Sequence, residues 1–85
     1  MKRAIAGSLE SNDALITVKE SDELSVSVRS IVGDFFGDQI EKVIYDTLAE
    51  KGVSKVEVTC EDKGALDYTI KARLLTALSR MEESK

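Results

Sequence analysis

A two-layer α+β fold is predicted for this 85-residue chain by three features of its sequence. Apolar and polar residues alternate with the period of a β-strand in several short segments before residue 30. Two longer segments after residue 30 repeat apolar residues at helical spacing, and one further strand-like segment lies between them. The predicted order is βββαβα in a single domain, residues 1–85, with a mostly antiparallel four-stranded sheet and two helices on one face.

Three short strands are predicted in the first part of the chain, at Ala4 to Glu10, Ala14 to Lys19 and Leu24 to Arg29. The third alternates most clearly between apolar and polar side chains, which is the pattern of a strand with one buried face. The linkers Ser11-Asn12-Asp13 and Ser21-Asp22-Glu23 are short and polar, as hairpin turns are. A three-stranded meander is the simplest arrangement of these segments.

A helix is predicted from Ile31 to Lys51 because its apolar residues form one stripe along a helical surface. The stripe consists of Val32, Phe35, Phe36, Ile40, Val43, Ile44, Thr47 and Leu48, and the two phenylalanines are assigned to the core. Ser30 is the predicted N-cap, and Gly52 is expected to end the helix in a left-handed conformation.

Two glycines leave undecided which residue begins that helix. Gly33 and Gly37 each cost about 1 kcal/mol relative to alanine in a helix interior. Either the helix begins later, near Asp38, or the glycines permit close packing. For a helix that begins at Ser30, Asp34 places negative charge near the positive end of the helix dipole.

The rest of the chain is predicted to form a strand from Val53 to Cys60 and a second helix capped by Asp62. The inner face of this helix is predicted to consist of Leu66, Ile70, Leu74, Ala77, Leu78 and Met81. If the third and fourth strands are neighbours, the helix between them forms a right-handed crossover. Residues 82–85 are expected to fray.

Composition argues against several classes of function. A net charge of −4, 5 % aromatic residues and no visible basic patch argue against nucleic-acid binding. No apolar run approaches the ~20 residues that span a bilayer, and the apolar segment after Met1-Lys2-Arg3 is too short for a signal peptide. A cytoplasmic protein without membrane association is therefore expected, in agreement with the lone thiol of Cys60.

Catalysis by the isolated chain is not predicted. The chain contains no histidine, which removes the commonest general base and a common metal ligand. Ser11 lies in a turn-forming Ser-Asn-Asp sequence, and the neighbouring Glu10 and Asp13 do not make a catalytic triad, so a serine hydrolase is excluded. Cys60 ends an apolar strand face and is predicted to be a buried thiol. No catalytic residue and no metal ligand is assigned.

The charged residues around the second helix are interpreted as structural. Glu61-Asp62-Lys63 is predicted to form the loop that starts the helix and not a cation site, and Lys63-Gly64 lacks the rest of a phosphate-binding loop. Asp67 and Arg73 are predicted to be solvated charges on the helix surface, with a partner-facing surface as the alternative.

Three blocks of the sequence resemble the acyl carrier subunit, or gamma chain, of citrate lyase. Ala6 to Asp13 reads Ala-Gly-Ser-Leu-Glu-Ser-Asn-Asp and resembles the family's Ala-Gly-Thr/Ser-Leu-Glu-Ser-x-Asp signature. Asp62 to Asp67, followed by Ala72-Arg73, resembles the family's Asp-Lys-Gly-Ala-Leu-Asp and Ala-Arg segments. Phe36 to Ile40 is a third, weaker match. The blocks occur in the family's order and together cover nearly the whole chain.

The resemblance implies that Ser11 carries a covalent prosthetic group, 2'-(5''-phosphoribosyl)-3'-dephospho-coenzyme A, joined through a phosphodiester by a separate transferase. The implied role is to hold acetyl and citryl thioesters while citrate is cleaved to acetate and oxaloacetate. The implied partners are the alpha subunit, an acyl transferase, and the beta subunit, a lyase, so the carrier itself is not catalytic. Ser11 must then be exposed and mobile, and a hairpin tip is expected to supply both. The charges of Glu10 and Asp13 are predicted to keep the phosphates of the arm off the loop.

Three alternatives remain open from the sequence. The same features fit the carrier of the related citramalate lyase, because the choice of acid belongs to the partner subunits. An unmodified assembly or interaction module with the same fold is the second alternative. A small stand-alone enzyme is the third, and the lack of a recognisable acid–base constellation argues against it.

Overall fold

The α+β architecture and the βββαβα order are confirmed by the structure, a computed structural model that describes residues 2–31 and 34–83, without the side chains of residues 34–36. The elements of these residues are β1 (Arg3–Gly7), β2 (Ala14–Glu20), β3 (Ser25–Ser30), α1 (Asp34–Lys51), β4 (Val56–Asp62) and α2 (Asp67–Glu83). The predicted core position of Phe35 and Phe36 lies outside the described side chains, as do Val32, Gly33 and the last two residues of the tail.

The strand order in the sheet is β1-β2-β4-β3, so the predicted meander is wrong. β2 is antiparallel to both β1 and β4, whereas β3 pairs in parallel with β4, which makes the sheet mixed. β4 occupies a central position because its inward side chains, such as Val56 and Val58, are completely buried. Those of β3, Val26 and Val28, are only partly buried, as expected of an edge strand. The neighbouring positions of β3 and β4 make α1 the crossover between them, as predicted.

Both helices cover the same face of the sheet. α2 packs on β1 and β2, and α1 packs on β3 and against α2. The inward residues of the central strands meet the predicted stripes of the helices, which are buried at Ile40, Ile44, Thr47, Leu48, Ile70, Leu74, Ala77, Leu78 and Met81. Leu66 is an exception, since 60 % of it is exposed, and its assignment to the inner face of α2 is wrong.

The end of α1 follows the prediction and its start does not. Gly52 has a φ of 65° and its N–H bonds to the carbonyl of Ala49, while the N–H of Val53 bonds to the carbonyl of Leu48. These two bonds form a Schellman motif that ends the helix. At the other end, Ser30 is the last residue of β3 and not an N-cap. A Cβ on Gly37 would meet no atom within 4 Å, so close packing does not explain this glycine.

Asp62 belongs to the sheet and does not cap α2. It is the last residue of β4, its side chain is buried, and its carboxylate accepts hydrogen bonds from the Ser30 hydroxyl at 2.7 Å and the Ala65 N–H at 2.8 Å. The carbonyl of Leu66 accepts the first N–H bonds of α2, from Thr69 and Ile70. Ser30 and Asp62, the residues predicted to cap α1 and α2, therefore bind each other instead. Their hydrogen bond joins the ends of the parallel strands β3 and β4.

Candidate functional site

Ser11 lies at the tip of the β1–β2 connection, which comprises residues 8–13 and is called the Ser11 loop below. The N–H of Asp13 donates to the carbonyl of Glu10 at 3.1 Å and closes a four-residue turn with Ser11 at its second position. Asn12, at the third position, has a φ of 66°, the sign that a type II turn requires there and that asparagine tolerates. Ser11 is exposed, as the hairpin prediction required.

The tip of the Ser11 loop is fastened to the loop between β4 and α2. The N–H of Asn12 donates to the carbonyl of Lys63 at 2.8 Å, and the N–H of Lys63 donates to the carbonyl of Asp13 at 2.9 Å. These two backbone bonds hold the turn beside Lys63, next to Ala14 and Asp62, the last antiparallel pair of β2 and β4. The turn that carries Ser11 is therefore part of the folded domain, although its tip faces solvent.

The carboxylate of Asp13 organises the base of the loop. It accepts hydrogen bonds from the Ser8 hydroxyl at 2.7 Å and the Ala14 N–H at 2.7 Å. Arg73 of α2 approaches it with two donors, Nε at 2.9 Å from Oδ1 and Nη2 at 3.2 Å from Oδ2. A two-pronged arginine–carboxylate contact is both strong and directional. These four donors, from both ends of the loop and from α2, satisfy both oxygens of one side chain.

Two predictions about charge near Ser11 need correction. Arg73 is not a solvated helix charge, because it forms an ion pair with Asp13, 60 positions away in the sequence. The same pair neutralises Asp13, so this carboxylate does not supply free negative charge to repel phosphates. Glu10 remains exposed at the turn and has that charge. Asp67 also has a partner, since its two oxygens accept bonds from Gln39 Nε2 at 3.1 and 3.0 Å.

Gly7 allows the end of β1 to lie close to the backbone of Ala14 and to the side chain of Arg73. Its φ is 96°, and a Cβ at this position would overlap the carbonyl oxygen of Ala14 and lie 3.2 Å from Cδ of Arg73. A side chain would therefore collide with the strand that follows the loop and with the arginine that braces it. The sequence signal was present, because Gly7 lies in the first family-like block, but its reason is visible only in three dimensions.

The described residues leave the Ser11 hydroxyl exposed and do not activate it as a nucleophile. No hydrogen bond from the described residues engages the Ser11 hydroxyl, so no side chain among them is placed to remove its proton.

The thiol of Cys60 is buried, as predicted. Burial first and the nearby Asp62 second raise its pKa to about 12. Among the described residues no cluster of acidic, cysteine or histidine side chains could hold a metal ion. The described helices are also too short or too polar to cross a membrane.

The low pKa of Asp13 predicts a loss of stability in acid. The hydrogen bonds from Arg73, then Ser8 and then Ala14 lower this pKa from 3.8 to about 2. The folded-state pKa is depressed, so the stabilisation is complete above about pH 5 and is lost as the pH falls through about 2. We expect the free energy of unfolding, measured in urea, to fall between about pH 6 and about pH 2 by roughly 1–2 kcal/mol more in wild type than in Asp13→Asn. Identical pH profiles for the two proteins would contradict this assignment.

Comparison with known proteins agrees with this architecture. A family model (ACP) described as the malonate decarboxylase delta subunit (MdcD) matches residues 1–81. A chain in the crystal structure of a Pseudomonas malonate decarboxylase hetero-tetramer in complex with malonate has a similar fold. Its TM-score is 0.80 over 94 % of this chain and 84 % of that chain. The sequence identity is 17 %, so this likeness concerns the fold alone.

Curated relatives are much more similar in sequence. The citrate lyase acyl carrier protein of Streptococcus mutans is 52 % identical over 79 residues, which cover 91 % of this chain and 78 % of that protein. The citrate lyase acyl carrier protein of Albidiferax ferrireducens is 50 % identical over 82 residues, 94 % of this chain and 84 % of that protein. The protein of the same name from Halothermothrix orenii is 45 % identical over 80 residues, with coverages of 93 % and 85 %. The chain therefore belongs to the family of citrate lyase acyl carrier proteins, as the three sequence blocks predicted.

Proposed function

We propose that this protein is the acyl carrier subunit of a citrate lyase complex and that Ser11 is the residue to which its prosthetic arm is joined. The observation that carries the proposal is an exposed serine, whose hydroxyl no described residue hydrogen-bonds, at the tip of a turn whose base is braced by Asp13 and Arg73. The family resemblance assigns the modified serine to this same position.

The geometry of the loop suits covalent attachment. Ser11 is exposed and its hydroxyl is not hydrogen-bonded to the described residues, so a phosphodiester can form there without breaking such a bond. The group proposed is 2'-(5''-phosphoribosyl)-3'-dephospho-coenzyme A, which supplies a thiol for acyl transfer. During attachment the Ser11 oxygen bonds to phosphorus of an activated nucleotide donor, whose leaving group departs. The proton of Ser11 passes to a base of the transferase, because the described residues offer none.

The carrier is proposed to act without catalytic residues of its own. Its partners would be the alpha subunit, which exchanges acyl groups, and the beta subunit, which cleaves the citrate-derived acyl group. A tethered arm raises the effective concentration of its cargo at each partner's site. The structural neighbour belongs to a hetero-tetramer, which supports a multi-subunit assembly. The same carrier geometry would serve citramalate lyase, since the partners select the acid.

Intact-mass measurement tests the attachment site. Expressed in a host that makes and attaches the arm, the wild-type protein is expected to show the mass increment of the group, and Ser11→Ala is expected to show none. Ser54→Ala is the matched control, because Ser54 is also an exposed loop serine but lies far along the chain, between α1 and β4. A wild-type chain without the increment in such a host, or an increment retained by Ser11→Ala, would overturn the proposal.

A further inference from the structure

An open groove of about 500 Å³ lies where α1 approaches the β4–α2 loop. Its apolar surface comes from Ile40, Ala65, Leu66 and Tyr68, and Gln39 and Asp67 also line it. We call it the Leu66 groove. The hydrogen bonds from Gln39 Nε2 to the carboxylate of Asp67 join α1 to the first turn of α2 and so fix the separation of these two walls.

Two large apolar side chains that line the Leu66 groove are exposed and do not pack into the core. Leu66 is 60 % exposed and Tyr68 is 72 % exposed, although both lie within four residues of Ile70, which is completely buried in α2. Contiguous exposed apolar residues in a concave site with a few polar groups are the usual composition of a site for a small ligand. The volume of the groove also falls within the usual range for such sites.

The Leu66 groove is continuous with the Ser11 loop. Gly64 lines the groove, and the side-chain oxygen of Asn12 would lie 3.5 Å from a Cβ on Gly64. The preceding residue, Lys63, is bonded through its backbone to Asn12 and Asp13 on either side of the turn. One end of the groove therefore lies beside Asn12, the residue that follows Ser11, within reach of a long arm attached there.

We propose that the Leu66 groove holds the part of the Ser11 arm that lies beyond its phosphates, namely the amide-containing and methyl-bearing chain that ends in the thiol. This inference rests on the proposed function. The leucine, tyrosine and alanine side chains would pack against the methyl groups, while the amide of Gln39 and the carboxylate of Asp67 would exchange hydrogen bonds with the amides of the arm.

Charge sets the direction in which the arm would lie. Asp62 and Asp67 both line the groove, and their carboxylates disfavour phosphate groups inside it. The cationic residue Lys63 precedes Gly64 of the groove and is held beside Asn12 and Asp13 by backbone bonds. The phosphates of the arm would therefore stay outside the groove, and only the uncharged portion would enter it. A carrier that holds its thiol in this way protects it from solvent between encounters with its partners.

The test uses the intact protein with its deacylated arm, whose presence is first verified by intact mass. We expect the backbone NMR shifts of Gln39, Ile40, Ala65, Leu66 and Tyr68 to differ between arm-bearing wild type and the Ser11→Ala variant. Alkylation of the arm thiol by iodoacetamide, followed by peptide mass spectrometry, gives a second readout. Cys60 does not interfere, because its thiol is buried and is resolved on a separate peptide.

Matched variants test whether the groove is what protects the arm thiol from alkylation. Tyr68→Ala and Leu66→Ser are expected to accelerate alkylation of the arm thiol about fivefold, as a loss of a modest contact energy does. Tyr45→Ala and Leu24→Ser serve as controls, because Tyr45 and Leu24 are also exposed, at 43 % and 42 %, but do not line the groove. The controls are expected to alkylate at the wild-type rate.

The outcomes separate this inference from the proposed function. Shift changes confined to the Ser11 loop, with equal alkylation rates in all variants, would overturn the groove site and leave the carrier role intact. Groove shifts that appear only after addition of the alpha or beta subunit would assign the groove to partner docking and would also overturn it. A protein that carries no arm in a competent host would overturn both the proposed function and this inference.

Discussion

Replacing Gly7 by alanine is expected to destabilise the protein by more than about 3 kcal/mol. Alanine disfavours the φ of 96° at this position, and its Cβ would overlap the carbonyl oxygen of Ala14. Ala14 is fully buried at the start of β2, so the backbone that carries this oxygen has little room to move. Urea denaturation of the wild type and the variant measures the effect. A loss of this size is a large share of the stability of a small domain.

Gly52→Ala is the matched control for the clash. Gly52 has a φ of 65°, but a Cβ there would meet no atom within 4 Å. Its replacement therefore costs only the unfavourable backbone conformation, about 1 kcal/mol. Equal losses of unfolding free energy in the two variants would show that the contact with Ala14 has no energetic importance and that both glycines act through backbone conformation alone.

Replacing Arg73 by glutamine is expected to slow the proposed attachment of a prosthetic group to Ser11 about 5- to 30-fold, the factor that corresponds to losing about one or two kcal/mol of loop stabilisation. Arg73 does not approach the Ser11 hydroxyl. It acts through Asp13, whose carboxylate joins Ser8, Ala14 and α2. Without the guanidinium the transferase would meet a loop that spends less time in the conformation with Ser11 presented. The initial rate of the mass increment, at limiting transferase, measures the effect.

Lys71→Gln is the control on the same helix. Lys71 forms an ion pair with Glu50 at 3.1 Å, but both side chains are largely exposed, at 44 % and 59 %. Exposed pairs of this kind contribute little to stability. The variant removes one positive charge from α2, as Arg73→Gln does, and leaves the Ser11 loop intact. If both variants slowed attachment equally, net charge and not the brace at Asp13 would control recognition by the transferase.

The errors of the sequence analysis arise where the partner of a side chain lies far along the chain. Ser30 and Asp62 each have the composition of a helix cap and each precede a helical segment. They bind each other at 2.7 Å instead, because Ser30 and Asp62 are opposite residues in the parallel pairing of β3 with β4. Leu66 fits the apolar spacing of α2, but the helix begins only at Asp67, so this leucine precedes the face that contacts the core.

Local sequence patterns also could not predict the strand order. β2, β3 and β4 all alternate between apolar and polar residues, so each could pair with either of the others. The predicted meander used the shortest connection, whereas the structure places β4 between β2 and β3. Burial agrees with this order, because the inward side chains of β2 and β4 are completely buried, whereas Val26 and Val28 of β3 are only partly buried.

By itself the sequence determined the element types, the turn at Ser11, the buried state of Cys60 and membership of the carrier family. These depend on periodicity, turn-forming residues and short blocks, all of which are local along the chain. Only the tertiary structure decided that Arg73 holds Asp13, that Lys63 holds the Ser11 turn and that Gly7 admits the backbone of Ala14. Each of these contacts, apart from the short approach at Gly7, joins segments at least 50 residues apart, and which groups meet depends on the path of the whole chain.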